Sequence, residues 1–271
     1  MTTDAFLDGY FARIGHSGPT EPTLATLAAL QGAHARAIPF EGIDRLLGAP
    51  IPLDIASLER KLVKSRRGGN CFEHSLVFGE VLRRLGFTYA YLGARVRWMS
   101  PPDAPMGPRE HAVVMVALPA GDFLVDLGFG ARVVDAPIRI DVGVEQDTPA
   151  GRFRIGRDGA LYALSARLPQ GWRTMHAFSL EPQFAADYAM ANAYAPLNPH
   201  LPFLKNLVAE RVADGVRHRL INRRLAIEAR DGAIVEERVL ADADELEAAL
   251  DAHFAITPPV PAEALFARAP G

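Results

Sequence analysis

The strongest constraint on this chain is a change of hydrophobic period near Thr88. Before it, apolar residues recur at helical spacing, as in Leu24, Leu27, Leu30 and Ala33, with Thr23 placed to cap the run and Pro39 to stop it. Another helical stretch begins at Ser57. The best-defined helix runs from Cys71 to Leu85, with Phe72, Leu76, Val77, Val81 and Leu82 as its apolar positions. After Thr88 come seven segments rich in β-branched and aromatic residues: TYAYLGARVRW, HAVVMVALPAG, DFLVDLGFG, RVVDAPIRI, GRFRIG, GALYALSARL and WRTMHAFSL. Their regular spacing predicts an antiparallel barrel or sandwich. Helical spacing returns near 183–193, followed by a stretch bearing Pro196, Pro199 and Pro202. Strands are expected in HRLINRRLAIEAR and AIVEERVL, then a helix near 243–254 capped by Asp242 or Asp244. TPPVPAEALFARAPG reads as a packed or loosely attached tail.

A single cysteine in 271 residues excludes an intramolecular disulfide and any Cys-rich metal site, and suits a reducing compartment. The first residues carry Asp4 and Asp8 and no continuous apolar stretch, unlike a secretory signal. No run approaches the roughly 18 apolar residues of a membrane-crossing helix. With 29 basic against 32 acidic residues there is no electrostatic case for nucleic acid. The expectation is a soluble cytoplasmic protein without nucleic-acid or membrane partners, whose oligomeric state is unreadable.

Cys71 sits in RRGGNCFEHSLVFGEVLRRLGF. Asn70 is a favoured N-cap and Glu73 lies three positions on, the pattern of a capping box. Gly86 falls where a helix-ending glycine belongs, after Arg83 and Arg84. Free cysteines are mostly small buried hydrophobes. This one would start a helix, where unpaired N–H groups and the positive end of the macrodipole favour an anionic sulfur. Gly68 and Gly69 would leave the approach to that sulfur open.

A nucleophilic thiol needs a base, and the base an orienting group. His74, at i+3 from Cys71, is nearest in sequence and is expected at the pocket rim or partly exposed. His111 is the better candidate. HAVVMVAL and DFLVDLGF read as a hairpin, and a two-residue turn at 119–120 would pair residue 118 with 121 and set residue 113 opposite Asp126. His111 shares a face with residue 113, so His111 and Asp126 become diagonal neighbours within side-chain reach. Apolar flanks imply that Asp126 is buried, and a buried carboxylate needs a partner.

These residues fit a known pattern. RRGGNCFE resembles the R-G-G-x-C-[FY]-E signature of the arylamine N-acetyltransferases, and GYFARIGHSGPTEPTLATLAAL, AIPFEGID, REHAVVMV, FLVDLGFG and FSLEPQFAADYAMAN extend the likeness. The resemblance implies an α+β fold of papain- or transglutaminase-like architecture: a helical bundle over 1–87 carrying the cysteine, an antiparallel β-barrel over 88–195 carrying the histidine and aspartate, and an α/β lid over 196–271. It implies Cys71 as nucleophile, His111 as base and Asp126 as orienter. Gly128, Phe129 and Gly130 would form a loop near the acyl- and CoA-binding region, and Phe40, Val96, Phe129 and Phe203 would line an arylamine pocket. Gly42 and Ser75 stand where the family usually has Asn. An ion pair between Arg67 and Glu41 is also expected.

The implied reaction is acetyl transfer from acetyl-CoA, the acyl-donor substrate, to an aromatic amine, hydrazine or N-hydroxyarylamine, with no metal or prosthetic group. Three alternatives stay open at this point: a cysteine hydrolase of similar architecture, an amide synthase of the same family acting on a carrier-bound acyl chain, and a non-catalytic binding domain.

Overall fold

A computed structural model describes residues 4–101, 103–198 and 201–271. Pro199 of the proline-bearing stretch and the first three residues of the N-terminal segment lie outside them. Helices α1 (Ala5–Ile14) and α2 (Leu24–Ala37) pack together, capped by the side chains of Asp4 and Thr23. Strand β1 (Phe40–Glu41) and the short α3 (Ile43–Leu47) follow. The helix expected from Ser57 starts earlier, as α4 (Ile55–Leu58), because the Asp54 side chain accepts from the Ser57 N–H at 2.9 Å. It runs on as a π-helical turn over Glu59–Lys64. Helix α5 (Cys71–Arg84) has the Asn70–Glu73 capping box, and beyond its end Gly86 takes φ 79°, a conformation that favours glycine.

Eight antiparallel strands follow: β2 (Thr88–Val96), β3 (His111–Leu118), β4 (Gly121–Val125), β5 (Ile138–Arg139), β6 (Glu145–Thr148), β7 (Gly151–Asp158), β8 (Leu161–Leu168) and β9 (Gly171–Gln183). Their order is β5-β4-β3-β2-β9-β8-β7-β6. The two end strands meet through Gln146, whose side chain donates to the Arg139 carbonyl at 2.9 Å and accepts from the Arg139 N–H at 2.8 Å. The sheet thereby curls into a nearly closed barrel, filled by Leu92, Val113, Leu124, Phe153, Leu164 and Phe178. Of the strand expected in RVVDAPIRI, only Ile138–Arg139 pairs. Upstream, the Val134 N–H turns inward to the Asp126 carbonyl at 3.2 Å, and Pro137 has no N–H to continue a ladder.

Helix α5 lies across β2 and β3, its Val77, Phe78 and Val81 sharing a core with Ala112, Val114 and Val116. Burying each such side chain is worth about 1.5–3 kcal/mol, which anchors the start of α5 against the barrel.

After α6 (Ala185–Tyr194) a second sheet forms from β10 (Val208–Ala213), β11 (Val216–Ile221), β12 (Arg224–Glu228) and β13 (Ile234–Val239), with β1 at its other edge. Phe40 pairs with Glu210, so a strand from the helical region completes the C-terminal sheet. HRLINRRLAIEAR is broken into β11 and β12 at Asn222, where φ is 55°. Helix α7 (Ala243–Phe254) is capped by Asp242 rather than Asp244. The tail is packed: α8 (Ala262–Phe266) buries Leu265, and Ala269 beyond it is also buried. Among the described residues no helix is long and apolar enough to cross a membrane.

Candidate active site

Cys71 occupies the first position of α5 because Asn70 holds the turn open in front of it. The Asn70 side chain accepts from the N–H groups of Phe72 at 2.9 Å and Glu73 at 3.3 Å, and the Glu73 carboxylate accepts from the Asn70 N–H at 2.9 Å. Lys61 donates to the other Glu73 oxygen at 2.7 Å. The glycines ahead of the cysteine serve close packing rather than an open approach. A Cβ on Gly68 would lie 2.0 Å from the Pro39 carbonyl oxygen, and one on Gly69 would lie 2.9 Å from Glu73 Cβ. The sulfur is buried, 3.8 Å from the Glu110 carbonyl oxygen.

The β3–β4 hairpin has the expected register, from Leu118 opposite Gly121 to Val114 opposite Val125. Continued by one pair, it sets Asp126 beside residue 113, and His111 Nε2 lies 3.0 Å from Asp126 Oδ2. The Cys71 sulfur is the other group that acts on the His111 side chain. Since Nε2 faces Asp126, Nδ1 is the ring nitrogen left for the sulfur. The Gly128 N–H donates to Asp126 Oδ1 at 3.3 Å. Gly128 itself cannot bear a side chain, because its Cβ would stand 2.3 Å from Cys71 Cα.

The charges of the pair reinforce each other. Burial alone would lower the pKa of His111, but the Asp126 carboxylate and the Cys71 thiol push it up to about 10. Burial would raise Asp126, yet His111 and His176 hold it well below the usual carboxylate range. Its carboxylate is therefore an ion that only accepts, so each histidine facing it does so with Nε2–H. His176, on β9, is the partner that sequence reasoning missed: its Nε2 lies 2.9 Å from the same Asp126 Oδ2. Its donor atoms and those of His111 and Asp126 fall within 4.8 Å of one another, the spacing of a metal-ligand group, here occupied by hydrogen bonds.

His74 is fully buried, not at the pocket rim. Its Nε2 faces the Pro39 carbonyl at 3.1 Å, so its Nδ1 accepts from His34 Nε2 at 2.8 Å, and His34 Nδ1 in turn accepts from the Tyr10 hydroxyl at 2.7 Å. This neutral chain braces α2 against α5. Ser75 adds a tie by donating to the Ala112 carbonyl on β3 at 3.2 Å, one residue from His111. The expected ion pair is present: Arg67 Nε donates to Glu41 at 2.8 Å, and Arg67 also reaches Asp44 at 2.8 Å.

Cys71 and His111 open onto a cavity of about 590 Å³. Its walls include Phe40, Val96, Gly128, Phe129, Gly130 and Phe203, the residues singled out from the sequence, whereas Asp126 sits behind the wall. Gly130 lets the Phe40 ring approach, since a Cβ there would stand 2.2 Å from it. Gly42 gives room to Phe203, which a Cβ at that position would meet at 3.3 Å. Sequence reasoning missed Arg45, Trp98, Glu110, Asn198 and Arg219 on the same walls. Glu110 carried a signal in its place directly before His111; the others had none, being brought in by α3, by loops and by β11.

A thiol at a helix N-terminus, a histidine raised by a buried aspartate, and a cavity with Phe40, Trp98, Phe129 and Phe203 on its walls are groups that acyl transfer through a cysteine uses. Residues 23–260 match the family model described as N-acetyltransferase. The chain is 39% identical over 245 residues to the arylamine N-acetyltransferase of Mycolicibacterium smegmatis, covering 89% of each protein. It is 36% identical over 219 residues to the arylamine N-acetyltransferase / N-hydroxyarylamine O-acetyltransferase of Salmonella typhimurium, covering 80% of this chain and 77% of that one. The structure of Mycobacterium marinum arylamine N-acetyltransferase in complex with CoA superposes with a TM-score of 0.90 at 36% identity, covering 97% of this chain and 99% of that one. The chain belongs to the arylamine N-acetyltransferase family.

Proposed function

We propose that this protein moves the acetyl group of acetyl-CoA to arylamines, arylhydrazines or N-hydroxyarylamines by way of an acetyl-cysteine at Cys71. The observation that carries the reading is the shared cavity: Cys71 and His111 face one space with Phe40, Trp98, Phe129 and Phe203 on its walls, and Asp126 is bonded to His111 from behind. His111 as imidazolium holds Cys71 as thiolate. The thiolate attacks the thioester carbonyl, a C–S bond to Cys71 forms, and the C–S bond to CoA breaks as His111 gives its proton to the departing CoA sulfur. The Asn70 cap takes the N–H groups of Phe72 and Glu73, leaving that of Cys71 for the developing oxyanion. The amine then attacks acetyl-Cys71, neutral His111 accepts an amine proton, and the thiolate–imidazolium pair is regenerated.

Phe40, Phe129, Phe203 and Trp98 support an aromatic acceptor over water, since their faces offer stacking and little hydration. The lone reduced thiol and the need for acetyl-CoA favour a cytoplasmic setting. The test is CoA release without any acceptor. This reading expects a burst of about one equivalent that then stalls until an arylamine is added. Continuous release at full rate without amine would instead make the protein a hydrolase.

A further inference from the structure

The connection from β4 to β5, residues 126–137, is irregular yet mostly buried. It presses Gly128 on Cys71, sets the Phe129 ring 5.2 Å from that of His111 and lets Gly130 meet Phe40. A buried chain without a ladder must satisfy its N–H and C=O groups elsewhere. A turn closes over Phe129–Arg132, where the Arg132 N–H donates to the Phe129 carbonyl at 2.9 Å. The next residue, Val133, is held by two side chains of the second sheet. Glu210 Oε1, on β10, accepts from the Val133 N–H at 2.7 Å. Arg217, on β11, donates to the Val133 carbonyl through Nη1 at 3.4 Å and Nη2 at 3.3 Å. Nη2 also donates to the Ala150 carbonyl at 3.3 Å, and Nη1 to Glu210 Oε1. Glu210 is fully buried and Arg217 nearly so.

Stability does not account for this pair. Glu210 Oε2 and Arg217 Nε are buried without hydrogen-bond partners among the described residues. An apolar pair of similar volume is often as stable as a buried ion pair, or more so. What the two ions do, and an apolar pair cannot, is grip one residue by both of its backbone groups, as a neighbouring strand would. Glu210 also stands opposite Phe40 in the β1–β10 ladder, so one residue is tied both to the loop and to a second wall of the cavity. Taking the roles given above to Cys71, His111 and Asp126, we infer that Glu210 and Arg217 are positioning residues of the site, a clamp on Val133 by which the second sheet holds the Gly128–Gly130 loop against Cys71 and His111. Neither touches the reacting atoms; both act through the loop.

The experiment compares Glu210→Leu/Arg217→Met, which fills the space and releases Val133, with Glu210→Gln. Since Oε1 takes both bonds of Glu210 and Oε2 takes none, a Gln oxygen in the place of Oε1 keeps the hold on Val133. The rate of Cys71 acetylation by acetyl-CoA and the KM for aniline are measured, with near-UV circular dichroism reporting the fold. The double variant is expected to fold, to lose roughly tenfold or more in acetylation rate, and to raise KM by a similar factor as Phe129 leaves its place on the wall. A loss of folded molecules alone would lower the rate and leave KM unmoved. Glu210→Gln should stay within about threefold of wild type in both. A folded double variant with the wild-type rate and KM would overturn the inference, as would an unmoved KM, or a Glu210→Gln as impaired as the double variant. Should the double variant fail to fold, Arg217→Lys decides by the same criteria, because it keeps the charge and loses the fork that reaches Val133 and Ala150 together. Wild type must itself form the acetyl adduct, and its failure to do so would strike the reading of the reaction rather than the clamp. Amide exchange of the wild type then judges the clamp alone. The Val133 N–H is expected to exchange as slowly as those of β10, and exchange at the rate of an open loop would overturn the inference.

Discussion

His111 Nε2 and Asp126 Oδ2 stand 3.0 Å apart, fully enclosed, because a two-residue turn at Pro119–Ala120 fixes the register of β3 against β4. The bond sets the histidine tautomer and leaves Nδ1 for Cys71. Asp126→Asn offers an amide where the ring needs an anion. Single-turnover acetylation of Cys71 is expected to drop by roughly 10³–10⁴-fold, the scale at which a triad aspartate acts. A variant within a few-fold of wild type would detach Asp126 from the chemistry.

The pH dependence follows from the same pair. His111 is pushed up to about 10 by Asp126 and Cys71 acting against burial, so its imidazolium persists through neutral pH. A folded pKa above the unfolded value stabilises the protein most below the unfolded pKa, near 6.5, and that contribution is lost as pH rises through about 10. The rate of Cys71 alkylation by iodoacetamide should therefore show an imidazolium-linked inflection on the alkaline side, absent in His111→Ala. An inflection near 6.5 in wild type would contradict this.

The Tyr10–His34–His74 chain predicts an acid weakness. Burial is the main cause that holds both histidines low, His74 down to about 4. A depressed histidine pKa means that the unfolded chain binds protons first. Stability is fully present above about 6.5 and declines as pH falls from there toward about 4. Over that window His74 alone is worth about 3 kcal/mol. Urea denaturation at pH 7 and at pH 5 reads it, and the double variant His34→Gln/His74→Gln should flatten the difference. An equal slope in wild type and double variant would reassign the acid sensitivity.

Gly128→Ala should be the most damaging single methyl in the barrel. The added Cβ would meet the backbone of Cys71 at 2.3 Å, where no flexible side chain can yield. Forcing the loop away costs about 1–3 kcal/mol of stability and displaces both Cys71 and the Gly128 N–H that donates to Asp126. Acetyl transfer is expected to fall by more than about 100-fold, since misplacement of about 1 Å has that effect. A fully active, equally stable Gly128→Ala would show that the loop does not press on Cys71.

What was legible in the sequence was what rests on short-range rules. The cap of Cys71 depends on residues three apart, and the β3–β4 register on the length of one turn. His176 was not legible: it is 50 residues from Asp126, is separated from β4 by both β2 and β3 in the sheet, and lies beside two register shifts in its own strand. Strand β10 was hidden because Glu210 and Arg217 pair with each other inside the fold, and charged residues in buried positions erase the apolar alternation. His74 was misplaced for a related reason. A histidine on a helix reads as half-exposed until the partners that satisfy both ring nitrogens, here His34 and Pro39, are brought in by the tertiary fold.

The central claim is that acetyl passes through Cys71. Intact-mass analysis after mixing with acetyl-CoA alone tests it most directly. Wild type should gain one acetyl group, lose it on addition of an arylamine with acetylated amine appearing in solution, and Cys71→Ala should gain none. An unmodified wild type with no acetylated arylamine formed, or the same adduct on Cys71→Ala, would contradict the account.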